Sequence, residues 1–175
     1  MSLLPLAGRA RRLGDDVNTD GIIASRRKRE TIDPALLKRH LLEDAAPGFA
    51  ASVRPGDILV AGRNFGCGSA MEVAVTVVLA AGIRAVVAKS FARTYLRNAL
   101  NNGLFLCVAD TTGIGESDPI AINATESGLA VAGAFGRRPC DPVPPFMLAM
   151  LEAGGLVPYL RAHGRFPSQA EAVSQ

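Results

Sequence analysis

Apolar positions gather in three short runs, residues 57–62, 83–88 and 104–108, separated by two stretches with helical character. Short buried strands alternating with helices predict consecutive parallel β-α-β units. The first helical stretch, 71–81, holds strong helix formers and stops at Gly82; the second starts from Ser90 as a cap and ends at Gly103. Upstream, a strand over 5–13 leads into an acidic, turn-rich loop, 14–21. Asp33-Pro34 reads as N-cap and first helical residue, with Leu36, Leu37, Leu41 and Leu42 at helical spacing behind it. Pro55-Gly56-Asp57 reads as the turn that feeds the next strand. Beyond Asp110 the pattern changes to a hairpin, 119–123 and 128–134, then a last helix over 144–153 and an apolar cap over 154–160. The expected organisation is one domain, 1–165, with a frayed tail at 166–175.

Composition narrows the function classes. A chain of 175 residues, 49% hydrophobic and 20% charged, is long enough to bury one good core. The N-terminal sequence has no charged-then-apolar signal pattern, and no run approaches the ~18 apolar residues of a membrane span. A cytoplasmic protein with no membrane partner is expected. Three scattered cysteines, Cys67, Cys107 and Cys140, argue against a disulfide framework or a complete cysteine metal site. The net charge of +3 is bunched, with Arg26-Arg27-Lys28-Arg29 the densest run. Nucleic acid is not expected as a partner, because the seven Phe and two Tyr do not interleave with the basic runs and Trp is absent. A small polycarboxylate suits the arginines better, since a guanidinium fork grips a carboxylate bidentately. His40 and His163 lie in unrelated segments and form no ligand pattern.

The candidate chemistry centres on Arg63-Asn-Phe-Gly-Cys-Gly-Ser69, a glycine-punctuated turn between strand and helix. If the helix opens directly behind Ser69, its unpaired amides and dipole favour an anion or a developing oxyanion there. The alternative is a tight reversal with no role beyond turning the chain. Phosphate fingerprints are excluded: the loop has no Lys-Ser/Thr ending, and Gly66 and Gly68 lack the third glycine of a dinucleotide loop. A nucleophile elbow is excluded because no glycine follows Ser69 by two residues.

Several blocks together resemble a known family. Gly14-Asp-Asp-Val-Asn-Thr-Asp-Gly-Ile-Ile23, Ile58-Leu-Val-Ala-Gly-Arg-Asn-Phe-Gly-Cys-Gly-Ser69, Ala88-Lys-Ser-Phe-Ala-Arg93, residues 98–104 and Ala153-Gly-Gly-Leu156 are similar to the small subunits of 3-isopropylmalate dehydratase, the swivel domain of the aconitase superfamily. The resemblance implies an α/β fold, a swivelling β/β/α domain of the aconitase C-terminal type in which parallel β-α-β units are joined to a hairpin. It implies a separate large subunit carrying a [4Fe–4S] cluster, with none bound by this chain, and a small hydroxy-diacid substrate dehydrated and rehydrated between the two subunits. Self-association is left open as a state of the isolated chain. In such enzymes the open iron takes the hydroxyl, and a serine of the swivel domain removes a proton from carbon. Ser69 matches that serine, with Gly66, Cys67, Gly68, Ala70 and Met71 around it and Asp20, Lys89 and Arg93 in supporting positions.

Two departures from the family bear on substrate. The usual Ser-Ser-Arg-Glu run reads Ser69-Ala70-Met71-Glu72, so Met71 stands where an arginine helps bind a carboxylate. The segment after Ile23 reads Ala24-Ser25-Arg26-Arg27-Lys28-Arg29 in place of a proline-, tyrosine- and leucine-containing pattern. One of Arg26, Arg27 or Arg29 is a candidate to supply the missing charge; the alternative is a solvated loop or a contact with an acidic patch on the large subunit. A leucine-pathway enzyme is the leading expectation, beside a relative acting on another 2-hydroxy diacid, such as a methyl-substituted malate, and a non-catalytic anion-binding subunit.

Overall fold

The structure, a computed structural model, describes residues 3–166, so all but the first residue of the expected frayed tail lies outside the described residues. Seven strands form one sheet: β1 (Leu6–Arg12), β2 (Ile58–Ala61), β3 (Ala85–Ala88), β4 (Phe105–Val108), β5 (Pro119–Thr125), β6 (Gly128–Gly133) and β7 (Gly136–Pro139). The order is β4-β3-β2-β1-β5-β6-β7, parallel from β4 to β1 and antiparallel from β1 to β7. The principal helices are α1 (Thr19–Ile22), α2 (Pro34–Leu37), α3 (Phe49–Ser52), α4 (Val73–Ala80), α5 (Arg93–Asn102), α6 (Pro145–Glu152) and α7 (Leu156–His163). The β-α-β units and the hairpin stand as expected. Four of these elements were not read from the pattern: α1, which begins in the expected acidic loop, α3, β7, whose Arg137 and Arg138 disguise an edge strand, and α7, in the segment expected to be only a cap.

Period-two alternation sorts the strand side chains between two cores. Leu59, Ala61, Val86 and Ala88 face α4, α5 and the leucines around α2, whereas Ile58, Val60, Ala85, Val87, Phe105 and Cys107 join Ile120, Ile122 and Val131 from the antiparallel half. The sheet curls until its two edges meet. Ala109, just past β4, bridges Cys140, just past β7, and the Asp141 amide donates to the Val108 carbonyl at 2.9 Å. That seam brings together two cysteines that looked scattered in the sequence. Both remain free thiols, and a hydrogen bond with Cys140, added to burial, pushes Cys107 up from its ordinary pKa.

A buried charge cluster pins β1 to the start of β2. Asp57, 3% exposed, accepts from Arg9 Nη2 at 2.8 Å, Arg11 Nη1 at 3.2 Å and the Arg54 amide at 2.9 Å. Arg11 also reaches Glu116 at 2.7 Å and lies over the Phe49 ring at 4.4 Å. Burial pushes the Asp57 pKa up, but donation from Arg9, the Arg54 amide and Arg11 outweighs it and the net shift is downward. The α2 start follows the sequence reading: Asp33 accepts from the Ala35 amide at 2.9 Å, with Pro34 at the first helical position. Leu37, Leu41 and Leu42 are buried; Leu36 is not.

Candidate active site

Three loops leave the carboxyl ends of β1, β2 and β3 and continue the parallel pairing beyond the strands. Between the first and second, the Gly62 amide donates to the Gly14 carbonyl at 3.1 Å, Asp16 to Arg63 at 2.8 Å, Gly66 to Val17 at 2.8 Å and Thr19 to Cys67 at 2.8 Å. Between the second and third, the Lys89 amide donates to Gly62 at 3.0 Å, Phe65 to Ser90 at 3.0 Å and Ala92 to Phe65 at 2.9 Å. The first loop carries Asp20, the second Ser69, the third Lys89 and Arg93. Crevices at the carboxyl ends of parallel strands are where α/β sheets bind ligands.

Phe65 anchors the middle loop. Its buried ring meets Tyr95 edge-on at 5.2 Å and Phe91 at 5.9 Å. Gly66, at φ +79°, lies directly on the Tyr95 ring, where a Cβ would collide with ring carbons. Gly68, at φ +94°, passes so close to Asn18 that a Cβ would stand 2.6 Å from its side-chain oxygen. That oxygen accepts from the Asp20 amide at 2.8 Å and caps α1, so the first loop is braced where it touches the second. Asn64, at φ +59°, donates its side-chain amide to Asp16, itself at φ +53°, at 2.8 Å.

Ser69 is placed differently from the expectation in one respect. Ala70, Met71 and Glu72 intervene before α4 begins at Val73, so Ser69 lies outside the first helical turn, where the dipole acts most strongly. The Ser69 carbonyl, outside the helix ladder, accepts instead from the buried Thr19 hydroxyl at 2.9 Å, which ties this loop to the first one. Glu72 occupies the N-cap position, but its side chain caps nothing. Ser90 likewise does not cap α5; it accepts from the Asn64 amide at 2.8 Å, holding the third loop to the second, and Ala92 is the N-cap. The Ser69 hydroxyl is exposed and, among the described residues, makes no hydrogen bond.

The remaining candidates separate clearly. Asp20 is turned to Ser25, accepting from its amide at 2.9 Å and from its hydroxyl, and these bonds, with the nearby Lys28 and Arg26 charges, hold its carboxyl below the usual range. Arg26 reaches Asp44 at 2.8 Å and Glu43 at 2.8 Å; Arg27 reaches Glu43 at 2.8 Å and Glu30 at 3.1 Å. Two of the three arginines proposed for a carboxylate are thus engaged with acids of this chain. Arg29 and Arg93 are exposed without polar partners among the described residues, and Lys89 stands 3.8 Å from Asp110. Cys67 contributes its carbonyl to Thr19, and its thiol is half-buried. Ala70 is exposed. Met71 is buried at 7% exposure, and the side chain against it is Lys28, whose Nζ lies 3.0 Å from the sulfur. Sequence reasoning counted Lys28 among four cations without singling it out. Thr19 and Asn18 were also missed as site supports, although both sit in the block that carried the resemblance.

Residues 28–109 match the aconitase C-terminal domain family. Over 157 residues the chain is 44% identical to the 3-isopropylmalate dehydratase small subunit of Moorella thermoacetica, covering 89% of this chain and 94% of that protein. The chain belongs to the 3-isopropylmalate dehydratase small-subunit family. Small subunit 2 from Archaeoglobus fulgidus is 42% identical over 162 residues, covering 92% of this chain and 98% of that relative. The fold of this family member superposes on the crystal structure of 3-isopropylmalate dehydratase from Methanocaldococcus jannaschii with a TM-score of 0.85 at 39% identity, covering 92% and 96% of the two chains. Aconitase-type swivel topology is therefore the architecture that brings the three loops together. Among the described residues no group of three or more His, Cys, Asp or Glu side chains is placed to hold a metal ion, and no helix is long and apolar enough to cross a membrane.

Proposed function

We propose that this chain is the small subunit of a 3-isopropylmalate dehydratase, a hydro-lyase that removes water from a hydroxy-diacid and returns it at the adjacent carbon. The observation that carries the reading is Ser69: its hydroxyl is exposed and uncommitted, while its carbonyl is held by Thr19 and the turn before it is held by the two neighbouring loops. A base that removes a proton from carbon needs a free oxygen on a rigid support. In this reading the [4Fe–4S] cluster resides on a large subunit, and that partner closes over the carboxyl-end loops. Closure excludes water from Ser69, which strengthens every charge interaction around the oxygen. Ser69, as its alkoxide, takes the proton from the carbon beside a carboxylate while the hydroxyl leaves the adjacent carbon and the alkene forms, and it returns that proton in rehydration. The full-length relatives support this diacid, and none of them supports a different diacid or a non-catalytic subunit.

The test is to co-express the chain with its large subunit, reconstitute the cluster without oxygen and follow alkene absorbance with 3-isopropylmalate. Ser69→Ala should lower turnover by roughly 10²–10⁴-fold, the usual contribution of a positioned base, while leaving complex formation intact. Undiminished turnover by Ser69→Ala removes the serine from the mechanism. Silence of the wild-type complex, with cluster and assembly verified, refutes the function.

A further inference from the structure

The 26–29 turn contains four basic residues, and their surroundings differ. Arg26 and Arg27 are closed in ion pairs, and Arg29 is exposed. Lys28 is half-buried, and among the described residues no carboxylate lies within ion-pair distance of it. Its ammonium lies 3.0 Å from the Met71 sulfur. An ammonium has three donors, and a thioether is a weak acceptor, so a partly desolvated Lys28 beside sulfur is short of partners. Asp20, close enough to feel the Lys28 charge, accepts both Ser25 bonds at one oxygen, Oδ1, and makes no ion pair with the lysine. The cation therefore stands without an ion pair beside a residue two positions past Ser69, with the buried Met71 side chain under it.

We propose that Lys28 is a substrate-binding residue: its ammonium, presented over Met71 beside the Ser69 loop, holds a carboxylate of the diacid. The inference rests on the reading of this chain as a hydroxy-diacid dehydratase subunit. It assigns the charge to the lysine beside Met71, and it leaves Arg26 and Arg27 the task of holding the turn in place through Glu43. A carboxylate that does not react is bound alike in ground state and transition state, so its loss should appear in KM far more than in kcat.

The experiment compares wild type, Lys28→Met, Lys28→Arg and the double variant Lys28→Met/Met71→Arg, each assembled with the large subunit and checked by thermal denaturation. Turnover of 3-isopropylmalate is measured with the cluster in place, and 3-isopropylmalate affinity is measured by calorimetry on the cluster-free complex. Lys28→Met should raise KM and the calorimetric Kd by about 10- to 100-fold, the loss expected for one charge-assisted hydrogen bond, with kcat little changed. Lys28→Arg should keep most of the affinity, and the double variant should recover part of it by returning a cation to the neighbouring position. Unchanged KM and Kd in Lys28→Met overturn the inference while an active wild type keeps the dehydratase reading intact. If the wild type turns over nothing, that reading falls, and calorimetry still decides: 3-isopropylmalate binding weakened by Lys28→Met supports the lysine site, and absent or unaltered binding overturns it.

Discussion

Gly68→Ala tests whether the Ser69 loop is held by the close approach of the first two loops or merely by its own turn. At φ +94° an alanine incurs a backbone cost of about 1–2 kcal/mol. Its Cβ would also stand 2.6–2.8 Å from three atoms of the Asn18 side chain. Asn18 must move, and with it goes the cap on the Asp20 amide, worth about 1 kcal/mol. The total is about 2–3 kcal/mol. Gly48→Ala is the control, because Gly48 has a similar φ of +81° but nothing within 4 Å of its would-be Cβ. The two variants should therefore differ by about 1 kcal/mol, or 2–4 °C in Tm for a chain of this size. They should differ more in turnover. A shift of about 1 Å in Ser69 costs up to about 10²-fold, so kcat of the assembled enzyme should fall at least about tenfold in Gly68→Ala and stay near wild type in Gly48→Ala. Equal Tm losses and an unchanged kcat in Gly68→Ala would refute the reasoning.

Two further predictions concern the charge clusters. Asp57→Ala leaves the buried Arg11 with Glu116 as its remaining acid, and breaking a buried pair of this kind should cost about 3 kcal/mol, or roughly 6–12 °C of Tm by thermal denaturation; a loss below about 1 kcal/mol would show the cluster to be dispensable. Glu43 is held by Arg27 first, and by His40 and the Arg27 charge, at a pKa of about 2 against an ordinary 4.5. Because the folded value is depressed, its contribution is complete above about 4.5 and is lost as pH falls towards 2. Amide exchange over residues 26–30, corrected for intrinsic rate, should lose protection on acidification in wild type and stay low at all pH values in Glu43→Gln; a pH-independent difference between the two would contradict the assignment.

Where local pattern carried the information, the sequence was readable. The apolar runs at 58–61, 85–88 and 105–108 are continuous and announce parallel strands covered on both faces, because successive side chains point to opposite faces of a sheet and here both faces are packed. Asp33-Pro34 names its own helix start for the same reason: the cap is made two residues away. The glycines around Ser69 mark a turn that needs positive φ, and that too is local.

What only the tertiary structure decided are contacts between segments distant along the chain. A capping serine looks the same in sequence whether it binds its own helix or, like Ser90, an amide 26 residues away. The Ser69 carbonyl, just ahead of α4, is held by the Thr19 hydroxyl 50 residues upstream. The closing seam of the sheet, which unites Cys107 and Cys140, depends on accumulated curl along seven strands. The sequence alone determined that a basic run lies near the Ser69 loop in the family order, but a run of four cations is degenerate. Which of them is absorbed by Glu43 and Asp44, and which is left against Met71, is settled by side-chain direction and by the acids that the fold brings alongside.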